Sequence, residues 1–409
     1  MMSHYVPRIA DEWLDSALNR SGGVLIEGPK GCGKSETARQ KAHSFVQVDI
    51  DPQVPQQLEL LPHALLQGAT PRVFDEWQTY PDIWNVVRHE IDRRQQKGQF
   101  ILTGSTAPSE QESRHSGAGR FARVRMSTFS FYESGHSTGE ISMRALVDDA
   151  DYDPVVTQHL AFPELIERLC RGGFPGNLGL ALVDAMANNR DYLETVAHVD
   201  VLNLDAVRRD PMRVMATLRS LARGVGTEMT TSAMGSDVGV TRETVGNYLS
   251  ALGRIFIATE QPAWSTHLRS RARLRQTPKR HLADPALAVA ALDASPDALM
   301  KDLEFAGQLF ESQVVHDLQV LTGEYISHGR DKDGLEVDAI FTSQGRACFV
   351  EVKLGSSGRV VDTAAENLRK FASRFEHEKP PLLLVITGTG MSYRRSDGVN
   401  VVCLSHLGV

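Results

Sequence analysis

The segment Gly28-Pro29-Lys30-Gly31-Cys32-Gly33-Lys34-Ser35 carries the most specific chemistry written into this 409-residue chain. Two glycines flanking a four-residue gap, followed by a lysine and a hydroxyl residue, match a phosphate-binding loop. The glycines let backbone N–H groups turn inward around a polyphosphate, and the start of a following helix adds its own N–H groups and dipole. Lys34 is spaced to reach the β- and γ-phosphates and Ser35 to offer its hydroxyl to Mg²⁺. Gly28, Pro29, Lys30, Gly31, Cys32, Gly33 and Glu36 complete the expected cradle.

Two further segments fit the same reaction. Val73-Phe74-Asp75-Glu76 ends an apolar run in two carboxylates, so Asp75 can hold the Mg²⁺ shell while Glu76 polarises the attacking water. Phe100-Ile101-Leu102-Thr103-Gly104-Ser105 ends in small hydroxyl residues, and Thr103 or Ser105 could contact the γ-phosphate or the water. ATP and Mg²⁺ are therefore the expected ligands and ATP hydrolysis the expected reaction, with Lys34, Glu76 and Thr103 as candidate catalytic residues. Arg120, in His115-Ser116-Gly117-Ala118-Gly119-Arg120 and followed by Arg123 and Arg125, is a candidate to stabilise transition-state charge, including from a neighbouring subunit of a homo-oligomer. A solvated basic loop is the equal alternative.

A second constellation lies near the end of the chain. In Glu336-Val337-Asp338 and Glu351-Val352-Lys353, strand alternation puts Glu351 and Lys353 on one side and Val352 toward the core. Two carboxylates and a lysine can hold a divalent metal and activate water for phosphodiester attack. A buried ion-pair network or a non-catalytic surface would use the same residues.

The elements that must position these groups follow from the pattern. Val24–Glu27, Phe45–Val48, Arg72–Phe74 and Phe100–Leu102 are short apolar runs separated by helical stretches such as 35–42 and 83–96, which predicts a largely parallel sheet covered on both faces. The polar stretch Ser134-Gly135-His136-Ser137-Thr138-Gly139 marks a boundary. Residues 136–265 are mostly helical. Within them, residues 230–252 read as helix, turn, helix, with Thr241 as N-cap and Val245, Leu249 and Leu252 on one face. Ile255-Phe256-Ile257-Ala258 then resembles the wing strand of a winged helix. Residues 266–300 form a basic connector and a helix, and 301–409 return to alternating strands and helices.

These motifs make residues 20–130 resemble the AAA-type ATPases. The wider chain resembles a prokaryotic family that joins an AAA domain to a C-terminal domain of unknown function 4143. The residues that carry this are Ile101-Leu102-Thr103-Gly104-Ser105, Arg171-Gly172-Gly173-Phe174-Pro175, Pro278-Lys279-Arg280-His281-Leu282-Ala283-Asp284-Pro285, and the run from Glu336 to Lys353. The late acid–acid-x-lysine pattern looks like that of the restriction-endonuclease-like fold, which implies that Glu311 joins Asp338, Glu351 and Lys353. The expected architecture is thus α/β: a P-loop AAA-type domain (1–135), a helical and winged-helix middle (136–265), the connector (266–300) and a restriction-endonuclease-like domain (301–409).

Composition bounds the partners. Hydrophobic content of 41% and charged content of 23% are those of a folded globular chain. No uncharged apolar run approaches the ~18 residues of a membrane span. Cys32, Cys170, Cys348 and Cys403 lie far apart and read as reduced thiols of a cytoplasmic protein, and residues 1–5 lack the pattern of a signal peptide. A net charge of −7 confines any DNA contact to a local patch. The alternating Arg269, Arg271, Arg273 and Arg275, extended by Lys279 and Arg280, offer one such strip, or an edge strand protected by charge. The helix-turn-helix could meet DNA or a protein partner.

Overall fold

The computed structural model describes residues 5–106, 117–149, 152–158, 160–205, 207–265, 276–331 and 333–409. The chain forms two compact units. The first runs to Thr128 and takes in Arg254–Phe256; the second comprises Phe129–Gly253 and Ile257–Val409.

The first unit follows the order α1 (Ala10–Arg20), β1 (Gly23–Glu27), α2 (Lys34–Lys41), β2 (Ser44–Gln47), α3 (Gln53–Leu60), α4 (Pro62–Leu65), β3 (Arg72–Asp75), α5 (Asp82–Arg94), β4 (Phe100–Gly104) and β5 (Phe121–Arg125). Its strands form one parallel sheet, β2-β3-β4-β1-β5. Leu25 packs on one face with Phe74, Trp77, Phe100 and Leu102, while Val24 and Ile26 pack on the other with Leu14, Val73, Ile101 and Val124. Burial on both faces is why these strands read as unbroken apolar runs rather than alternating ones. Because β4 stands between β1 and β3, the loop after Glu27, the pair Asp75-Glu76 and the Thr103-Gly104-Ser105 triplet all leave the sheet at the same edge. In sequence, β5 reads as part of a basic loop. It is the outer strand, with Ala122 and Val124 buried and Arg123 and Arg125 exposed.

The second unit continues with β6 (Ile141–Ser142), α6 (Met143–Asp148), α7 (Phe162–Arg171), α8 (Leu182–Thr195), α9 (Pro211–Arg223), α10 (Thr231–Val238), α11 (Arg242–Arg254), β7 (Ala258–Gln261), β8 (Lys279–Leu282), α12 (Pro285–Ala291), α13 (Pro296–Lys301) and α14 (Leu303–Thr322). It ends with β9 (Ser327–Arg330), β10 (Glu336–Ser343), β11 (Arg346–Lys353), α15 (Gly358–Ala372), β12 (Leu382–Thr387), β13 (Tyr393–Arg394), β14 (Asn400–Cys403) and β15 (Leu407–Gly408). The late strands order as β13-β14-β12-β11-β10-β9; β9, β10 and β11 run as an antiparallel meander and β12 lies parallel to β11. Helix α15 covers this sheet through Val361, Leu368 and Phe371 against Val337, Phe349 and Val385. α10 and α11 form the helix pair expected at 230–252, and Thr241 Oγ1 caps the second helix by accepting from the Thr244 N–H at 3.2 Å. β7 begins at Ala258, at the end of the run expected to be a wing strand, and pairs antiparallel with β8.

The polar stretch 134–139, expected as a boundary, packs against the last residues of the chain. Ser137 Oγ donates to the Leu407 carbonyl at 2.7 Å, and Thr138 N–H to that of Ser405 at 2.8 Å. Its hydroxyl and backbone N–H groups make that packing, which gives their polarity a role in hydrogen bonding. Two of the segments that carried the family resemblance also meet here. The Gly173 N–H donates to Asp284 Oδ2 at 2.7 Å, and a Cβ on Gly172 would stand 2.6 Å from Asp284 Oδ1. Asp284 also caps α12 by accepting from the Ala286 N–H at 2.9 Å.

Candidate functional site

The phosphate loop is shaped by positions that favour glycine. Gly31 and Gly33 take φ of 73° and 102°, and a Cβ on Gly28 would stand 2.2 Å from the Met126 carbonyl oxygen. Lys34 opens α2, is buried, and donates from Nζ to the carbonyls of Gly28 (3.0 Å) and Pro29 (2.8 Å). Its ammonium is thereby held over the loop that must receive phosphate. Cys32 is buried within the loop, whereas the side chains of Lys30 and Glu36 are exposed, Glu36 lying 3.6 Å from Arg39.

The neighbouring strand ends complete a connected hydroxyl and carboxylate set. Ser35 Oγ donates to Asp75 Oδ1 at 2.7 Å, and Thr103 Oγ1 donates to the same oxygen. Thr103 Oγ1 also accepts from the Glu76 N–H at 3.3 Å, which ties the acidic pair to β4. Glu76 sits in the left-handed region, φ 54° and ψ 44°, a conformation that costs a non-glycine residue energy and is found at functional sites. Its carboxylate accepts from Gln78 Nε2 and from Ser105 Oγ, the latter at 3.3 Å. One hydroxyl and one carboxylate side by side are a donor set that suits Mg²⁺, which keeps several waters and takes one or two protein oxygens.

Sequence reasoning passed over Arg8. Its guanidinium, 5% exposed, donates to the Cys32 carbonyl at 2.7 Å and to the Ser127 carbonyl at 2.9 Å, bracing the phosphate loop against the chain that follows β5. Tyr5 adds hydrogen bonds to Asp11 at 2.6 Å and Thr37 at 3.1 Å. No local pattern marks Arg8, because its partners are backbone carbonyls far along the chain.

Arg120 stands away from the phosphate loop of its own chain. The Arg120 carbonyl accepts from the Gly23 N–H, so the residue lies at the start of β1 and β5, the edge opposite the phosphate loop. Its guanidinium pairs with Asp92 at 2.9 Å. At ~3.3 Å of rise per strand residue, the length of β1 separates it from the phosphates of its own chain, so it cannot serve them.

In the second unit, α14, β8, β10 and β11 bring Glu311, Lys279, Asp338, Glu351 and Lys353 into one cluster. Lys279 Nζ lies 2.5 Å from Glu311 Oε1 and 3.8 Å from Asp338 Oδ1, and Lys353 Nζ lies 2.8 Å from Glu351 Oε1. Asp338 Oδ2 accepts from the Val352 N–H at 2.8 Å, and Glu351 Oε2 is buried with no hydrogen-bond partner among the described residues. Burial, then the Asp338 charge, pushes Glu311 up to about 7 and Glu351 up to about 8, with Lys279 and Lys353 respectively pulling back. Burial pulls both lysines down, but the carboxylates outweigh it and hold them above their ordinary value. Among the described residues no group of three or more His, Cys, Asp or Glu side chains is arranged to hold a metal ion. The two ammonium groups supply counter-charge to the three carboxylates.

Lys279 was expected on an open cationic strip with Arg280. Both are buried: Lys279 in this cluster, Arg280 against Glu260 at 3.1 Å and the Met229 carbonyl at 2.8 Å. Arg269, Arg271, Arg273 and Arg275 lie outside the described residues.

The parallel sheet, its strand order and the loop geometry define a P-loop ATPase of the AAA type, which binds ATP. Residues 20–135 match the family model described as AAA domain, and residues 306–407 match that of domain of unknown function 4143. The chain therefore joins an AAA-type ATP-binding domain to a C-terminal domain of that second kind. Between them, residues 163–298 match a further domain of unknown function, 8612. Two uncharacterized proteins, one from Mycobacterium tuberculosis and one from Mycobacterium bovis, are each 24% identical over 351 residues, covering 84% of this chain and 73% of theirs. Among solved structures, a Walker-type ATPase of Pyrococcus abyssi is 14% identical, covers 69% of this chain and 94% of its own, and gives a TM-score of 0.41. Among the described residues no helix is long and apolar enough to cross a membrane.

Proposed function

We propose that the chain is a Mg²⁺-dependent ATPase working as a nucleotide-dependent switch, with a winged-helix and a nuclease-like module as its output. The observation that carries the hydrolytic half is the linked set Ser35–Asp75–Thr103–Glu76 beside the phosphate loop. Lys34 and the loop N–H groups take the phosphates. Ser35 and Asp75 would hold Mg²⁺, which when bound neutralises charge on the β- and γ-phosphates. Glu76 takes a proton from water as its oxygen attacks the γ-phosphorus and the bond to the β-phosphate oxygen breaks.

For the output half, the α10–α11 pair followed by the β7–β8 ribbon supports the winged-helix reading, and the convergence of Glu311, Asp338, Glu351 and Lys353 supports the nuclease-like one. The same cluster favours a silent module over a nuclease acting on DNA, because Lys279 and Lys353 neutralise it. Helix α11 exposes Arg242, Glu243, Asn247 and Ser250, a face whose one cation is balanced by one anion. Phosphate binding draws on several cations at once, so a protein partner suits this face better.

The test is an assay of wild type, Lys34→Ala and Glu351→Ala for ATP turnover and for cleavage of single- and double-stranded DNA with Mg²⁺ or Mn²⁺. The switch reading expects turnover with no cleavage and no stimulation by DNA. Cleavage lost specifically in Glu351→Ala would replace it with an ATP-regulated nuclease.

A further inference from the structure

Three consecutive residues at the end of β4 serve the acidic pair, each in a different way. Thr103 donates to Asp75, and Ser105 Oγ donates to Glu76 Oε2 at 3.3 Å. Gly104 contributes by having no side chain: a Cβ there would stand 2.9 Å from both Gln78 Oε1 and Trp77 Nε1. Gln78 occupies that space from a single 3₁₀ turn, Trp77–Thr79, which leaves Glu76. Trp77 anchors the turn, buried and 5.3 Å in ring centroid from Trp84. From there Gln78 Nε2 donates to Glu76 Oε2 and lies 3.4 Å from Ser105 Oγ.

Glu76 Oε2 therefore receives two donors. Among the described residues Oε1 receives none. A glutamate side chain left free turns about its terminal torsion and loses orientation as a base. A charge-assisted hydrogen bond from a carboxamide stops that rotation without taking the second oxygen.

We propose that Gln78 is the positioning residue for Glu76. Its carboxamide, with Ser105, pins Oε2 and so presents Oε1 to the attacking water. Oε1 accepts the proton as the water oxygen bonds to the γ-phosphorus and ADP departs. The placement also accounts for the small residue at 104, since a side chain there would displace the glutamine. This proposal rests on the reading of Glu76 as the base.

The experiment is a double-mutant cycle on Mg²⁺-ATP turnover with Gln78→Met, Glu76→Gln and the double variant, with binding of a fluorescent ATP analogue measured on each. Methionine keeps the length and volume of glutamine beside Gly104 and Trp77 and removes only the donor and acceptor. Gln78→Met is expected to lower kcat about tenfold to a hundredfold, a share of the ~10²–10⁴-fold that a placed base contributes, with analogue affinity unchanged. In the Glu76→Gln background the same change is expected to cost less than twofold, because its effect passes through the Glu76 carboxylate. Ser105→Ala should fall between wild type and Gln78→Met. A Gln78→Met enzyme with wild-type kcat, or an equal loss in both backgrounds, overturns the proposal while leaving Glu76 as the base. Wild-type turnover by Glu76→Gln overturns both.

Discussion

Replacing Lys279 by methionine keeps most of the buried hydrocarbon and removes the ammonium that lies 2.5 Å from Glu311 and 3.8 Å from Asp338. The effect on stability depends on pH through Glu311, whose folded pKa stands at about 7 against the ordinary 4.5. A carboxyl with a raised folded pKa stays protonated in the fold after the unfolded chain has lost the proton, so stability falls as pH rises. In the native chain that fall runs from 4.5 to about 7 and then levels, because Glu311 ionises beside Lys279. Without the ammonium the folded pKa rises further and the fall continues above neutrality, at about 1.4 kcal/mol per pH unit. Between neutral pH and about pH 9 the variant should lose an extra ~2–3 kcal/mol relative to wild type, a little below the ~3–5 kcal/mol seen when one partner of a buried pair is removed. Urea unfolding of both proteins near pH 6 and near pH 9, followed by fluorescence, measures this. Equal destabilisation at the two pH values would refute the reasoning, since it would assign the loss to packing alone.

Asp284→Ala leaves the buried N–H groups of Gly173 and Ala286 without acceptors, at about 1–3 kcal/mol each. It should lower the urea midpoint, with the whole effect on folding and none on nucleotide affinity in the folded fraction. Arg8→Ala removes the guanidinium from the Cys32 and Ser127 carbonyls. ATP affinity, read by titration with a fluorescent analogue, should weaken about tenfold, the equivalent of ~1.4 kcal/mol. Arg8→Lys should recover little, because the two carbonyls are reached by separate nitrogens of the guanidinium fork, which a single ammonium does not reproduce.

What could be read from the sequence and what could not divides by distance along the chain. The phosphate loop is a run of eight residues whose glycines, lysine and serine carry their own geometry, and Asp75, Glu76 and Thr103 each stand at the end of an apolar run that marks a strand. Asp338, Glu351 and Lys353 stand out by type and order, and Glu311 only through the family resemblance. Lys279 was misplaced because its neighbours Arg280 and Arg275 made it look like part of a solvated strip, while its partner Glu311 lies 32 residues away. Asp284 and Gly173 are 111 residues apart, so the reason both motifs exist is visible only once the backbone N–H meets the carboxylate. Strand β5 escaped because Arg123 and Arg125 on its open face masked the two buried residues between charges. Arg8 and Gln78 act through a carbonyl and a neighbouring carboxylate, contacts that no periodicity predicts.

The most direct test of an ATPase acting through Lys34 and the loop around it compares wild type with Lys34→Ala, measuring Mg²⁺-ATP binding and phosphate release on the same preparations. The account predicts phosphate release by wild type, with both binding and release lost in Lys34→Ala while the variant unfolds at the same urea concentration. A Lys34→Ala protein that binds and hydrolyses ATP as wild type does would contradict it.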